Sequence, residues 1–283
     1  MIKCYLCNST SFKTRKGVVR DVPDLEILEC AGCGLVTLSS LEHIQAGFYE
    51  KSGMHGTAPV PIETWLNNTD WDDQRRFEML SVALANKKVL DFGCGAGGFL
   101  VKAQSLAAQV AGIELEQRVK THWAGRLAIH PDFASAGGGY DLITAFHVVE
   151  HLPDPRKTLQ SLARLIAKNG RMIIEVPSSE DALLTLFDCD AFQRFTYWSQ
   201  HLFLFNAETL RQLANQAGLK VIAMQQYQRY PLSNHLHWLS QGNPGGHQKW
   251  SFLNSPTLAE AYANTLAAIG KCDTLIAHLE LES

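Results

Sequence analysis

Between residues 88 and 226 the chain alternates short apolar runs with segments in which apolar residues recur every three or four positions. Runs of the first kind predict buried strands, and the second pattern predicts amphipathic helices. Lys88–Phe92, Gln109–Ile113, Tyr140–Phe146, 171–176 and 220–226 read as strands, with helices over 99–106, 155–167 and 209–217. Asn206 stands where a cap for the last helix belongs, and Gly218 where its stop belongs. Asn169-Gly170 is expected to end the helix before it, and Pro177 the strand that follows. Ahead of this block a helix is predicted over 70–85, capped by Asp70, with Phe77, Leu80, Val82 and Leu84 as its apolar surface. A fainter strand signal lies around 128–130, and the pattern places no seventh strand. Such alternation predicts an α/β fold with a mostly parallel sheet covered by helices on both faces. In that architecture ligands bind at the carboxyl ends of the strands.

The flanks follow other patterns. Residues 1–40 show short alternating segments at 25–28 and 35–38, read as strands on either side of a cysteine pair. Residues 41–69 read as a connector that includes the Pro-rich stretch 58–61. The main domain covers 70–230, and 231–283 forms a loop and a helix over 257–280. Leu258, Tyr262, Leu266, Ile269 and Leu275 lie on or near one face of that helix. It is expected to cover the core or to contact a second subunit of a homodimer.

With 283 residues, 46% of them apolar, the chain can build one large domain and a small appendage. A net charge of −3 gives no basic face for a nucleic-acid backbone. No run of some 18 apolar residues is present, so no membrane span is expected. The opening MIKCYLCNST lacks the apolar core of an export signal. Cys94, Cys189 and Cys272 are therefore expected to be reduced thiols in a cytoplasm.

The other four cysteines form two C-x-x-C pairs, Cys4 with Cys7 and Cys30 with Cys33. Four thiolates at that spacing can close a tetrahedral cage around one zinc ion, leaving no position open for water. The expectation is a structural zinc ribbon.

The chemically richest segment is Val89-Leu90-Asp91-Phe92-Gly93-Cys94-Gly95-Ala96-Gly97-Gly98-Phe99. A strand runs into glycines and out into a helix, as at a nucleotide site. Glu114 ends the next strand, where a carboxylate can accept both hydroxyls of a ribose. Gly93, Gly95 and Gly98 satisfy G-x-G-x-x-G, so a dinucleotide fits formally. Asp91 points elsewhere: it would repel a pyrophosphate and suit a ligand bearing an amino group.

Asp91-x-Gly93-x-Gly95-x-Gly97 resembles the first motif of class I S-adenosylmethionine-dependent methyltransferases, which have a Rossmann-like fold. The segments 140–152 and 170–177 resemble the family's fourth and fifth strands. The resemblance implies S-adenosylmethionine as cofactor. Gly93, Cys94, Gly95 and Gly97 would pass under its methionine part, with Asp91 near the amino group and Glu114 on the ribose. Asp132 and Phe133 would flank the adenine. Phe146 and His147 would line the cavity near the methyl.

A hydroxyl or carbon-acid acceptor also needs a base. His147, His151, His201 and Glu150 are candidates, with His147 nearest the strand end. His151 is equally read as tying down the helix that follows, and His201 as part of a packed lid over 198–205. The tail 234–250 carries His235, His237, His247 and two tryptophans, groups that stack on sugars and hold phosphates. The segment 30–38 resembles the zinc-binding part of bacterial deoxysugar C-methyltransferases, which implies a sugar or nucleotide-sugar acceptor. The tail lacks those enzymes' large C-terminal domain, so O- or N-methylation stands beside C-methylation. Two other readings remain: a ribosomal RNA base methyltransferase using basic residues Lys13, Arg15, Lys16 and Arg20, and a non-catalytic docking protein.

Overall fold

A computed structural model describes residues 2–44 and 59–282. Near the N-terminus β1 (Phe12–Thr14), β2 (Ile27–Cys30) and β3 (Val36–Leu38) pair antiparallel in that order. The sequence pattern signals β2 and β3 but not β1, whose side chains are exposed or half-buried and leave no alternation to read. Most of the expected connector lies outside the described residues. Its end does not: α1 (Ile62–Leu84) starts well before residue 70. Pro61 precedes it without a side-chain cap bond, so the usual polar cap signal is missing. Asp70 lies within the helix and pairs with Lys102 at 2.8 Å.

The central block follows as β4 (Lys88–Phe92), α2 (Gly98–Ala103), β5 (Gln109–Ile113), α3 (Gln117–His122), β6 (Ala128–His130), α4 (Phe133–Ala136), β7 (Tyr140–Phe146), α5 (Pro155–Ala163) and β8 (Ile166–Pro177). α5 ends earlier than predicted because Asn169-Gly170 is not a helix stop. Gly170 lies inside β8, where an added Cβ would stand 2.6 Å from the Tyr140 carbonyl oxygen, and the β7–β8 register shifts alongside it. After β8 come α6 (Ala182–Thr185), α7 (Asp190–Thr196), β9 (Phe203–Leu204), α8 (Ala207–Gln216), β10 (Leu219–Tyr227), α9 (Leu232–Gln241), α10 (Gly246–Lys249), α11 (Pro256–Ala268) and β11 (Thr274–Leu281).

The large sheet has seven strands in the order β10-β11-β8-β7-β4-β5-β6. β6, β5, β4, β7 and β8 are parallel, and β11 runs antiparallel between β8 and β10. β11 is the strand the sequence pattern does not place. The predicted helix over 257–280 is real only as far as Ala268, then turns at Gly270 (φ +68°). Thr274, Leu275, Ile276, Ala277 and Leu279 are all buried because β11 is covered on both faces. A continuous apolar run of that kind cannot be told from a buried helix by periodicity alone.

β4 is the switch point of the sheet, with β5 on one side and β7 on the other. The chain departs from it in both directions, which opens a crevice above its carboxyl end. The small sheet is joined to this crevice. Its fourth strand is β9, which pairs antiparallel with β3. Thr37 Oγ1 donates to the Leu202 carbonyl at 3.1 Å, and the Asp21 carboxylate accepts from Ser199 N and Oγ at 2.9 and 2.6 Å. The cysteine module and residues 195–205 thus share one apolar core that includes Val36, Tyr197, Leu202 and Phe205.

Candidate active site

The crevice over β4 is a cavity of about 340 Å³ floored by the loop between β4 and α2. Gly93 has φ +68°, and a Cβ there would stand 2.5 Å from Val148, so glycine lets two loops close on each other. Gly97 caps α2 in the left-handed region, with the Trp123 ring nitrogen 2.9 Å from where its Cβ would be. Trp123 Nε1 also donates to the Ala96 carbonyl at 2.7 Å and holds the loop in shape.

Asp91 and Glu114 both line this cavity. Asp91 accepts from Thr144 Oγ1 at 2.7 Å. Burial pushes its carboxyl up to about 7, against the pull of Thr144 and Arg76. Glu114 receives the backbone N–H of Gly95 at 2.9 Å and of Glu116 at 3.0 Å, and burial raises it as well. Two buried carboxyl groups beside side-chain-free backbone suit a ligand with a cationic amino group and a diol. Cys94, Phe146 and His147 line the same cavity. Asp132 and Phe133 do not. Asp132 caps α4, accepting from Ser135 N and Oγ at 2.8 Å each, and Phe133 stacks behind the lining residue Phe92 at 5.4 Å. Leu115 and Glu116 occupy the wall beyond Glu114 instead.

His147 has φ +53°, a strained setting for a residue with a side chain, and its N–H donates to the Glu175 carbonyl at 2.8 Å. Its ring stands between two carboxylates, with Nδ1 3.2 Å from Glu150 Oε1 and Nε2 3.1 Å from Glu175 Oε1. Burial opposes charge on the ring, but the two carboxylates outweigh it and hold His147 above the usual imidazole range. Glu175 is fully buried, and its Oε1 accepts from Arg75 Nη2 at 2.7 Å and Arg76 Nη2 at 2.8 Å. Arg229 is held by Asp72, with Nε 2.8 Å from Oδ1. Sequence reasoning missed this cage. Its signal was present: a carboxylate inside the apolar run Ile173-Ile174-Glu175-Val176, and paired arginines on α1.

A second cavity, about 390 Å³, adjoins the first, and His147 and Arg229 line both. Its walls are Phe192, Phe195, Trp198, His201, Tyr230 and Trp238, together with Asn234, His235 and His247 from the tail. His237 is turned away, donating from Nδ1 to the Asn243 carbonyl at 2.8 Å. His201 and His151 each donate Nδ1–H to a backbone carbonyl, of Thr196 at 2.9 Å and Gln200 at 2.7 Å. Each therefore carries its lone pair on Nε2. Burial pushes His201 down to about 4, with His151 adding to the effect, and burial also lowers His151. Glu150, His151 and His201 present a carboxylate oxygen and two ring nitrogens within 4.8 Å of one another, a set able to share a proton or hold a cation. His151 lines the first cavity and His201 the second.

The four cysteines form the other cluster. Their sulfurs all lie within 4.8 Å of one another, with Cys4–Cys33 at 3.5 Å and Cys7–Cys30 at 3.4 Å. A tetrahedral zinc–thiolate centre has edges of about 3.8 Å, so the donor set fits that ion. Burial opposes ionisation of Cys30, but backbone N–H groups of Cys33 and Gly32 outweigh it and bring the thiol to about 7.

Residues 68–224 match the methyltransferase domain family. The chain is 37% identical over 100 residues to a ubiquinone biosynthesis O-methyltransferase of Thiobacillus denitrificans, covering 31% of this chain and 43% of that one. It is 25% identical over 226 residues to the Aeromonas salmonicida enzyme of the same name, covering 72% and 89%. The chain thus spans less than half of the first relative and most of the second. Among solved structures it resembles the methyltransferase in the complex with the Haloferax volcanii Trm112 activator. That likeness has a TM-score of 0.51 at 14% identity and covers 80% of this chain and 100% of that one. No helix among the described residues is long and apolar enough to cross a membrane.

Proposed function

Because the chain belongs to the methyltransferase domain family, we propose that it transfers the methyl group of S-adenosylmethionine to a hydroxyl of a small cyclic acceptor, most readily a sugar or nucleotide sugar. The observation that carries this reading is the meeting of two cavities at His147, one with paired carboxyls on a glycine loop and the other walled by aromatic rings. S-adenosylmethionine supplies a methyl already activated by its sulfonium, so the protein's work is alignment, exclusion of water and removal of a proton. Asp91 receives the amino group, Glu114 the ribose, and Phe92 with Leu115 the adenine. Phe146 and His147 stand at the passage between the cavities.

Set between two carboxylates that favour its protonated form, His147 serves as a donor and a positioning group rather than a base. His201 lines the second cavity, carries its lone pair on Nε2 and is the better base. A ring held near 4 takes the proton only as the methyl bonds to oxygen and the hydroxyl turns acidic. Buried Glu150, whose Oε2 has no hydrogen-bond partner among the described residues, stabilises the resulting charge. Transfer to oxygen is supported by the relatives, which are named as O-methyltransferases. The aromatic walls and polar tail support a sugar ring, since flat apolar surfaces stack on sugar faces. Four thiolates holding structural zinc brace the acceptor wall through β3 and β9.

Of Lys13, Arg15, Lys16 and Arg20, two are tied up within the molecule, which favours a small acceptor over RNA: Lys16 is paired with Asp188 and Asp190 at 2.7 and 2.8 Å, and Arg15 donates to the Ser179 carbonyl. Incubation with methyl-labelled S-adenosylmethionine, a nucleotide-sugar extract and unmodified ribosomal RNA tests the reading. Label is expected in the sugar pool. Label confined to RNA overturns the proposed acceptor class.

A further inference from the structure

The cysteine module does more than brace the fold: one of its side chains reaches the second cavity. Arg20 lies in the loop between β1 and β2, far in sequence from every other residue on that wall. Its backbone N–H donates to the Tyr197 carbonyl at 2.9 Å, and its Nη1 to the Phe195 carbonyl at 3.2 Å. The guanidinium carbon lies 4.6 Å from the Trp198 ring centroid and 5.5 Å from that of Phe195. One edge of the fork is thus fixed by a carbonyl and the plane is held by two rings. That is how an arginine is preorganised to receive an oxyanion in two-point fashion.

The other charged groups on the wall are already engaged. The Arg229 fork is closed on Asp72. His147 stands between Glu150 and Glu175. Asp273 accepts the backbone N–H groups of Arg229 and Tyr230 and the Gln228 amide. Asp181 accepts the Leu183 N–H, and burial together with Asp273 pushes its carboxyl well above the carboxylate range. Burial also lowers His201, His235 and His247 and leaves them neutral. Among the described residues Arg20 makes no ion pair within 4 Å, and its neighbour Asp21 is committed to Ser199. Among the described residues, Arg20 is therefore the cation on this ring-walled cavity that no carboxylate already holds.

We infer that Arg20 binds an anionic substituent of the acceptor, a phosphate or a carboxylate, so that the zinc-bearing module forms part of the acceptor site and selects for charge. The inference rests on the reading of the second cavity as the acceptor site. It narrows the acceptor to molecules with a ring that fills the aromatic pocket and an oxyanion that stays at the mouth. A sugar phosphate or a nucleotide sugar meets both conditions, and an uncharged glycoside meets only the first.

The test starts from a small-molecule extract split on an anion exchanger into retained and unretained fractions, each incubated with the protein and methyl-labelled S-adenosylmethionine. Label is expected in the retained fraction. For the labelled acceptor purified from it, Arg20→Gln raises KM by about tenfold or more, as expected for loss of a charge-assisted contact. Arg20→Lys restores part of that loss, and affinity for S-adenosylhomocysteine, zinc content and Tm follow the wild type. Treating the retained fraction with phosphatase, alone and together with a nucleotide pyrophosphatase, distinguishes the anions: a terminal phosphate is lost to the first treatment, a nucleotide-sugar diphosphate only to the second, and a carboxylate survives both. Label in the unretained fraction alone, or a wild-type KM in Arg20→Gln, overturns the inference and leaves the methyl-transfer reading standing. No label in either fraction overturns the methyl-transfer reading and removes the inference with it.

Discussion

A carboxyl group buried at the end of β4 is costly unless something cationic stands beside it. Without a ligand, Asp91 holds its proton up to about pH 7, against an ordinary value of 3.8. This folded-state value lies above the unfolded one, so the group favours the fold at low pH and loses that contribution as pH rises from about 4 toward 7. Binding of a cationic ligand has the opposite dependence. S-adenosylmethionine affinity is expected to fall as pH drops below about 7, approaching tenfold per unit, and Asp91→Asn should flatten that slope while weakening binding throughout. Calorimetry between pH 5.5 and 8.5 checks both. His201→Ala should lower kcat by about 10²–10⁴ and leave cofactor affinity alone, as expected for a lost base. Glu175→Gln should instead destabilise the protein, because it removes the carboxylate that Arg75 and Arg76 share and leaves them only Asp72 and Asp73. At this scale the convergence of Asp91 and Glu114 on one cavity was legible in the sequence, since both are set by local strand–loop geometry. The Asp132 and Phe133 assignment had only the short, faint β6 to fix it, and the structure leaves both outside the cavity. The cage around Glu175 joins residues about a hundred positions apart, and no local pattern reports such a contact.

The elements divide in the same way. Strands β4, β5 and β7 have the predicted bounds because each is a short apolar run between strong turn signals. α8 was readable from its cap, and the structure shows a full capping box between Asn206 and Thr209. Asn206→Ala is expected to cost about 1 kcal/mol, a fall in Tm of roughly 2–4 °C in a scanning experiment. β9 could not be read at all. Two residues long, it is a strand only because β3 of the cysteine module lies beside it. Removing zinc should therefore loosen residues 195–205 and spare the first cavity, whose described lining begins at Trp65. Chelation is expected to lower Tm and to weaken acceptor binding while S-adenosylhomocysteine affinity stays within about twofold. Equal loss of both affinities would show that the module supports the whole domain instead.

For the molecule as a whole, the decisive placement is β11, which the chain adds last and inserts between two strands made earlier. Its four buried apolar side chains, Leu275, Ile276, Ala277 and Leu279, close the sheet, so a chain ending after Ile269 should expose the edges of β8 and β10 and fail to fold. With the sheet closed, α9 and the following tail form the far wall of the second cavity, and the cysteine module forms its mouth. Regions far apart in sequence thus wall the second cavity, beside the crevice over β4. The most direct measurement is a crystal structure with S-adenosylhomocysteine bound. The arrangement predicts its amino group at Asp91, its ribose hydroxyls at Glu114 and its sulfur at the passage beside Phe146 and His147, facing the ring-walled cavity. A ligand lying with its sulfur turned away from His147, or seated in the second cavity, would contradict it.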